Sequence, residues 1–198
     1  MQRRQLILLP LYAALAGVPG FIAPLASAQS ARRADATKVT FNGVDYVYRW
    51  AKAGQYEFLP LNDSDLAKWQ DMVTVNLHES ATSGEHLAEL ANKVVANYQR
   101  AGKVMRTDSK PRTPNRPAEH MIVAVFGNPD FLEAAFARMV LIDGVGVVAV
   151  YSHRVYGQGV GPAMTDWLKT NGPQVESTLM AWDRIPAPAA LKKLPPRN

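Results

Sequence analysis

Phe131-Leu-Glu-Ala-Ala-Phe-Ala-Arg-Met-Val-Leu-Ile-Asp-Gly-Val-Gly-Val-Val-Ala-Val-Tyr-Ser-His-Arg-Val-Tyr156 decides the fold, because its first half can be read in two ways. Phe131, Ala134, Ala135 and Met139 recur at helical spacing, whereas Phe136, Arg138, Val140 and Ile142 alternate as the residues of one strand face. Asp143-Gly144 chooses between them. Asp-Gly between alternating apolar runs is a strong short-range signal for a tight hairpin, and the run Val145-Gly-Val-Val-Ala-Val-Tyr151 that follows suits a strand. A long hairpin is therefore expected. A two-residue loop would set Glu133 opposite Arg154, a cross-strand pair worth about 0.2–1 kcal/mol.

Working towards the N-terminus, Met121-Ile-Val-Ala-Val-Phe126 reads as a central strand buried on both faces, stopped by Gly127-Asn-Pro129. Before it, Pro111, Pro114 and Pro117 impose a loop, since proline neither continues a helix nor pairs inside a sheet. Lys103 to Thr107 reads as a further strand. Leu87, Leu90, Ala91, Val94, Val95 and Tyr98 form one apolar stripe at helical spacing, which predicts a helix over about residues 83 to 101. Thr82 with Glu85 has the form of a capping box, and Arg100 with Gly102 supplies a terminal cation and a left-handed stop.

Met72 to His78 alternates, with Val73, Val75 and Leu77 inward and His78 on the polar face. Gln55 to Leu59 is a short strand after a turn at Ala53-Gly54. Asn42-Gly43 marks another hairpin, between Val39-Thr-Phe41 and a strand on which Val44, Tyr46, Tyr48 and Trp50 share one face. Towards the C-terminus, Pro162 opens a helix carrying Met164, Trp167 and Leu168, Asn171-Gly-Pro173 breaks it, and a second short helix carries Val175, Leu179 and Trp182. Residues 38–183 form one α+β domain, an antiparallel sheet with one long central helix and C-terminal helices packed against it. Residues 184–198 are a proline-rich tail, expected to be loosely held.

This order of elements, with a hairpin before a C-terminal helix, is similar to the Mog1/PsbP-like fold over roughly residues 38 to 183. The resemblance implies a sheet covered by helices and a binding or accessory role, and it transfers no functional residue.

The first 28 residues have the grammar of a secretory signal peptide: Arg3 and Arg4, an apolar stretch from Leu6, then Leu25-Ala-Ser-Ala28 before Gln29-Ser30. Cleavage is expected between Ala28 and Gln29, with residues 29–37 as a flexible leader. A retained anchor is the alternative, but Pro10, Pro19, Pro24, Gly17 and Gly20 make a poor spanning helix. Removing the signal leaves 20 basic and 17 acidic side chains, a net charge of +3 that falls short of a nucleic-acid binder. There is no cysteine, which excludes disulfides, thiol chemistry and a lipidated anchor. The expected location is the periplasm.

No motif names a reaction. His78, Glu79 and His86 are the weak candidates for a metal site, but their spacing is neither His-Glu-x-x-His nor its inverted form, and a strand end and a helical first turn expose polar residues in any case. Gly144-Val-Gly146-Val-Val-Ala149 has the letters of a dinucleotide fingerprint without the strand-to-helix context that such a loop requires. Ser152 and His153 are adjacent on a strand and point to opposite faces. Neither a cofactor nor a catalytic residue is expected.

The most suggestive feature is the basic stretch Arg100, Lys103, Arg106, Lys110, Arg112 and Arg116, whose arginines can hold carboxylates or phosphates bidentately. Arg106, Lys110, Arg112 and Arg116 are the candidate partner-binding residues, set against the reading that they only keep a loop soluble. The expectation is a non-catalytic binding or accessory protein recognising an envelope protein or an anionic envelope component. The alternatives are a hydrolase or metal-dependent enzyme using His78, Glu79 and His86, and a small-molecule carrier with its pocket between sheet and helices. Tyr46, Tyr48 and Trp50, like Trp167 and Trp182, could line such a site or simply form the core face of the sheet.

Overall fold

A computed structural model describes residues 37–197. The signal segment, its cut between Ala28 and Gln29, and residues 29–36 of the leader lie outside the described residues.

The described residues fold into eight antiparallel strands in the order β1-β2-β3-β4-β8-β7-β6-β5. The first four, β1 (Lys38–Phe41), β2 (Val44–Lys52), β3 (Gln55–Pro60) and β4 (Asp71–His78), form one meander. The second meander is β5 (Lys103–Lys110), β6 (Glu119–Asn128), β7 (Phe131–Ile142) and β8 (Val145–Tyr156). The two join along β4 and β8, from Asp71 opposite His153 to His78 opposite Gly146. Two of the hairpins stand where Asn-Gly and Asp-Gly predict them: Asn42 and Gly43 have φ of 48° and 79°, Asp143 and Gly144 of 51° and 75°. The two-residue loop at Asp143-Gly144 puts Glu133 opposite Arg154, and Arg154 Nε donates to Glu133 Oε2 at 2.8 Å.

Helix α1 (Gly84–Ala101) packs over β5, β6 and β7, with Tyr98 edge-on to Phe126 at 4.9 Å. Helix α2 (Gly161–Ala181) packs over β7 and β8 on the other face, where Met164, Val175 and Leu179 join Phe41, Phe136, Val147 and Tyr151 in one apolar cluster. The sheet is thus covered on both faces. β6 is buried on both sides as expected, although it lies next to the edge rather than at the centre.

Several local expectations change. Ser83, not Thr82, caps α1, its Oγ accepting from the His86 amide at 3.2 Å. Gly102 has an extended backbone, not a left-handed one; it is glycine because an added Cβ would lie 2.4 Å from the Val125 carbonyl oxygen and 2.6 Å from Phe126 Cδ1. A bulge in β2 between Tyr48 and Trp50 sets Ala51 rather than Trp50 opposite Tyr56, so Trp50 leaves the face shared by Tyr46 and Tyr48.

Asn171-Gly172-Pro173 does not break the C-terminal helix. A proline inside a helix costs about 3 kcal/mol, but Met164, Val175 and Leu179 on its two sides are each buried, and burial of one such side chain is worth about 1.5–3 kcal/mol. Burial wins, and Asn171 Nδ2 donates to the Trp167 carbonyl within the interrupted turn. The tail is also held. A short helix α3 (Pro188–Leu191) buries Leu191, Tyr48 Oη donates to the Pro195 carbonyl at 2.7 Å, and Arg197 bridges back to Ala51.

Candidate binding surface

The basic stretch divides into two parts with different neighbours. Arg106 lies on β5, which runs three residues further than expected, to Lys110. Its guanidinium reaches Glu176 of α2 at 3.1 Å and Asp108 at 3.3 Å. Lys110 donates to the Met180 carbonyl and lies 3.7 Å from Glu119. Behind them Arg138, on β7 and only 6% exposed, bonds Glu119 at 2.7 and 2.9 Å and donates to the carbonyls of Leu179 and Trp182 at 2.9 and 2.8 Å. The end of a helix leaves carbonyls without internal partners and carries the negative end of its dipole, so cations there are stabilising. Arg106, Lys110 and Arg138 therefore fasten the C-terminal turns of α2 to the sheet.

Arg112 and Arg116 are placed differently. The loop from Pro111 to Ala118 is exposed almost throughout and closes on itself through a backbone bridge between Thr113 and Arg116. Pro117 fits against Gly84, where an added Cβ would meet it at 3.3 Å, so the loop stands beside the first turn of α1. Between them is an open groove lined by Glu85, Ala88, Arg112, Asn115 and Arg116 among others. Neither arginine forms a salt bridge with a described residue. The Glu85 carboxyl is held below its ordinary range, first by backbone hydrogen bonding and by Ser83, and more weakly by His86 and Arg112. Arg100 and Lys103 are also exposed, and the Arg100 guanidinium donates to the Asn97 side chain.

The metal candidates lie in separate surroundings. Glu79 pairs with Lys192 at 2.7 Å, His86 Nδ1 lies 3.4 Å from Thr82 Oγ1, and His78 is half-buried rather than on a polar face. Burial pushes the His78 imidazole below its ordinary range, and its Nε2 has no hydrogen-bond partner among the described residues. Among the described residues no group of three or more His, Asp or Glu side chains is placed to hold a metal ion. Gly146 of the dinucleotide-like letters sits inside β8, where an added Cβ would be 2.6 Å from that of Ala81.

One polar network escapes sequence reading. Asp71 Oδ1 accepts from Tyr151 Oη at 2.6 Å and lies 2.8 Å from His153 Nδ1, while the His153 ring stacks on Trp167 of α2 at 3.9 Å and 5°. Burial, and then the Asp71 charge, hold the Tyr151 phenol protonated far above its ordinary range. His153 is 5% exposed and enclosed by these rings, so the network is a joint between β4, β8 and α2. Only the register of β4 against β8 brings Asp71 to His153, and nothing in either strand announces that register. Ser152 points to the opposite face from His153, as expected.

No family model and no curated protein matches the chain. Its structure is similar to that of the Ran-binding protein Mog1p of Saccharomyces cerevisiae, at 10% sequence identity and a TM-score of 0.42, over 72% of this chain and 89% of that one. The likeness is to the fold group named above from element order, and it assigns no role to any residue.

Proposed function

We propose that this chain is an exported, non-catalytic binding protein of the cell envelope that holds carboxylate or phosphate groups of an envelope protein or anionic envelope component through Arg112 and Arg116. The observation that carries the reading is the contrast in pairing within one basic segment. Arg106 and Lys110 have internal partners, whereas the two loop arginines are exposed beside a groove without a salt bridge to a described residue. A guanidinium in that position offers a planar fork of donors to an incoming anion. The signal-like residues 1–28 support the periplasmic location.

Two readings stand behind it with less support. The enzyme alternative would need His78, Glu79 and His86 to act together, yet each has a different neighbourhood. The carrier alternative would need space between sheet and α2, and that layer is filled by Phe41, Phe136, Tyr151 and Trp182.

The test is crosslinking in the native envelope with the wild-type protein and with Arg112→Ser/Arg116→Ser. Loss of the captured partner in the double variant is expected; the same capture from both proteins would sink the reading. N-terminal sequencing of the exported protein should begin at Gln29, and a sequence beginning at Met1 would remove the argument for location.

A further inference from the structure

We infer that the free edge of β5 is a strand-addition site for an acidic, extended segment of a partner protein. The inference rests on the proposed binding role and adds to it a backbone-directed mode of recognition.

β5 ends the sheet, and no described strand lies beyond it. At eight residues it is twice as long as β1 at the opposite edge, and it contains no proline. All of its residues except Val104 are exposed, including Met105 at 50%. The Ser109 amide donates to the Asp108 carboxylate at 2.8 Å, which marks Ser109 as a position whose backbone faces outward. The two-residue alternation of an antiparallel ladder turns the Thr107 backbone the same way. Such an edge is a ready template for another strand.

Charge selects the occupant. Proteins guard exposed edges with lysines and bulges, and β5 has Lys103, Lys110 and a bulge between Val104 and Arg106. Lysines that repel a cationic strand attract an acidic one, since opposite charges facing each other across a strand pair are favourable. The one acid on β5, Asp108, is already paired with Arg106, and Lys110 is engaged by the Met180 carbonyl and Glu119, so the exposed Lys103, with no salt bridge to a described residue, is the β5 cation that meets an incoming carboxylate. A strand laid along β5 and continued past Lys110 reaches the loop that carries Arg112 and Arg116. The exposed Met105 adds apolar surface for an alternate, uncharged side chain of the partner strand.

The experiment is amide hydrogen exchange on the purified protein with a ten-residue peptide alternating Glu and Val. Two control peptides are a Lys-Val counterpart and the Glu-Val peptide N-methylated at alternate amides, which keeps its charge and loses half its donors. Exchange at Thr107 and its β5 neighbours should slow by about tenfold at saturation with the first peptide, and not with either control. Binding that leaves the β5 amides exchanging freely, or equal binding of the N-methylated peptide, overturns strand addition. So does no binding at all. If Arg112→Ser/Arg116→Ser abolishes binding while β5 was never protected, the loop reading survives and this one fails. If β5 protection persists in that double variant, strand addition survives and the loop reading fails.

Discussion

Arg106 and Lys110 on one side, and Arg112 and Arg116 on the other, belong to one run of basic residues in the sequence, yet they meet different fates in the folded chain. The first two reach across to α2 and, with Arg138 behind them, hold its last carbonyls and Glu176. The second two stand on a proline-bounded loop with no ion pair to a described residue. The difference teaches that a charge run is not one functional unit. What divides it is where the strand ends: up to Lys110 the backbone is fixed in register with β6 and aims side chains at the helix, and from Pro111 it turns away. If the division is real, substitutions on the two sides should differ in kind, the first costing stability and the second costing recognition.

The largest effect is expected behind the α2 side of the division. Arg138→Met would leave Glu119 buried without its guanidinium and the Trp182 carbonyl without its side-chain donor, while the Leu179 carbonyl would keep the Trp182 amide at 3.3 Å. Removing one member of a buried pair is strongly destabilising, about 3–5 kcal/mol, and a urea titration should show the midpoint fall with little change in slope. Adding Glu119→Gln should recover part of the loss, because the uncompensated charge is gone. A loss below about 1 kcal/mol for the single variant, within the range of an ordinary exposed pair, would break the claim that this cluster fastens the helix.

Next in size is the cap of the helix on the opposite face. Ser83→Ala removes the acceptor for the His86 amide and should cost about 1 kcal/mol, whereas Thr82→Ala should cost less, since Thr82 is not the cap. Equal losses would return the cap to Thr82-Glu85. This small displacement is typical of what the sequence left open. The hairpins at Asn42-Gly43 and Asp143-Gly144 and the pairing of Glu133 with Arg154 were legible because turn chemistry acts over two residues and sets register by itself. The continuous α2, the docked tail and the Asp71–His153–Trp167 joint were not legible, because each depends on a surface assembled from distant segments. Pro173 reads as a breaker until the cluster that buries both halves of its helix is known. For the same reason the basic run could be found but not divided.

The pH dependence sharpens the comparison from another side, since arginine and lysine do not titrate near neutrality. His78 and His120 are both held below the ordinary imidazole value of 6.5 by burial, so the folded state disfavours their charged forms. The unfolded chain then binds more protons, and stability present above pH 6.5 should be lost as pH falls through the depressed folded values. Thermal unfolding of His78→Gln and His120→Gln should show a shallower decline on the acid side than the wild type. An unchanged decline in both would mean that groups other than these two imidazoles carry the acid sensitivity.

The smallest expected change in stability is at the loop. Arg112→Ser and Arg116→Ser remove exposed charges with no salt bridge to a described residue, and surface substitutions of that kind usually stay within about 0.5 kcal/mol. Arg106→Ser breaks an exposed pair with Asp108 and a half-buried one with Glu176 and should cost more, up to about 1 kcal/mol. Binding should rank them in the opposite order, with the loop pair losing the partner and Arg106→Ser weakening it less. Because a charge held out in solvent acts through a screened field, the wild-type interaction should weaken with added salt and the loop double variant should not respond. A double variant that kept both the partner and the salt response would place recognition outside the loop, and the division of the basic run would then describe only how the fold is fastened.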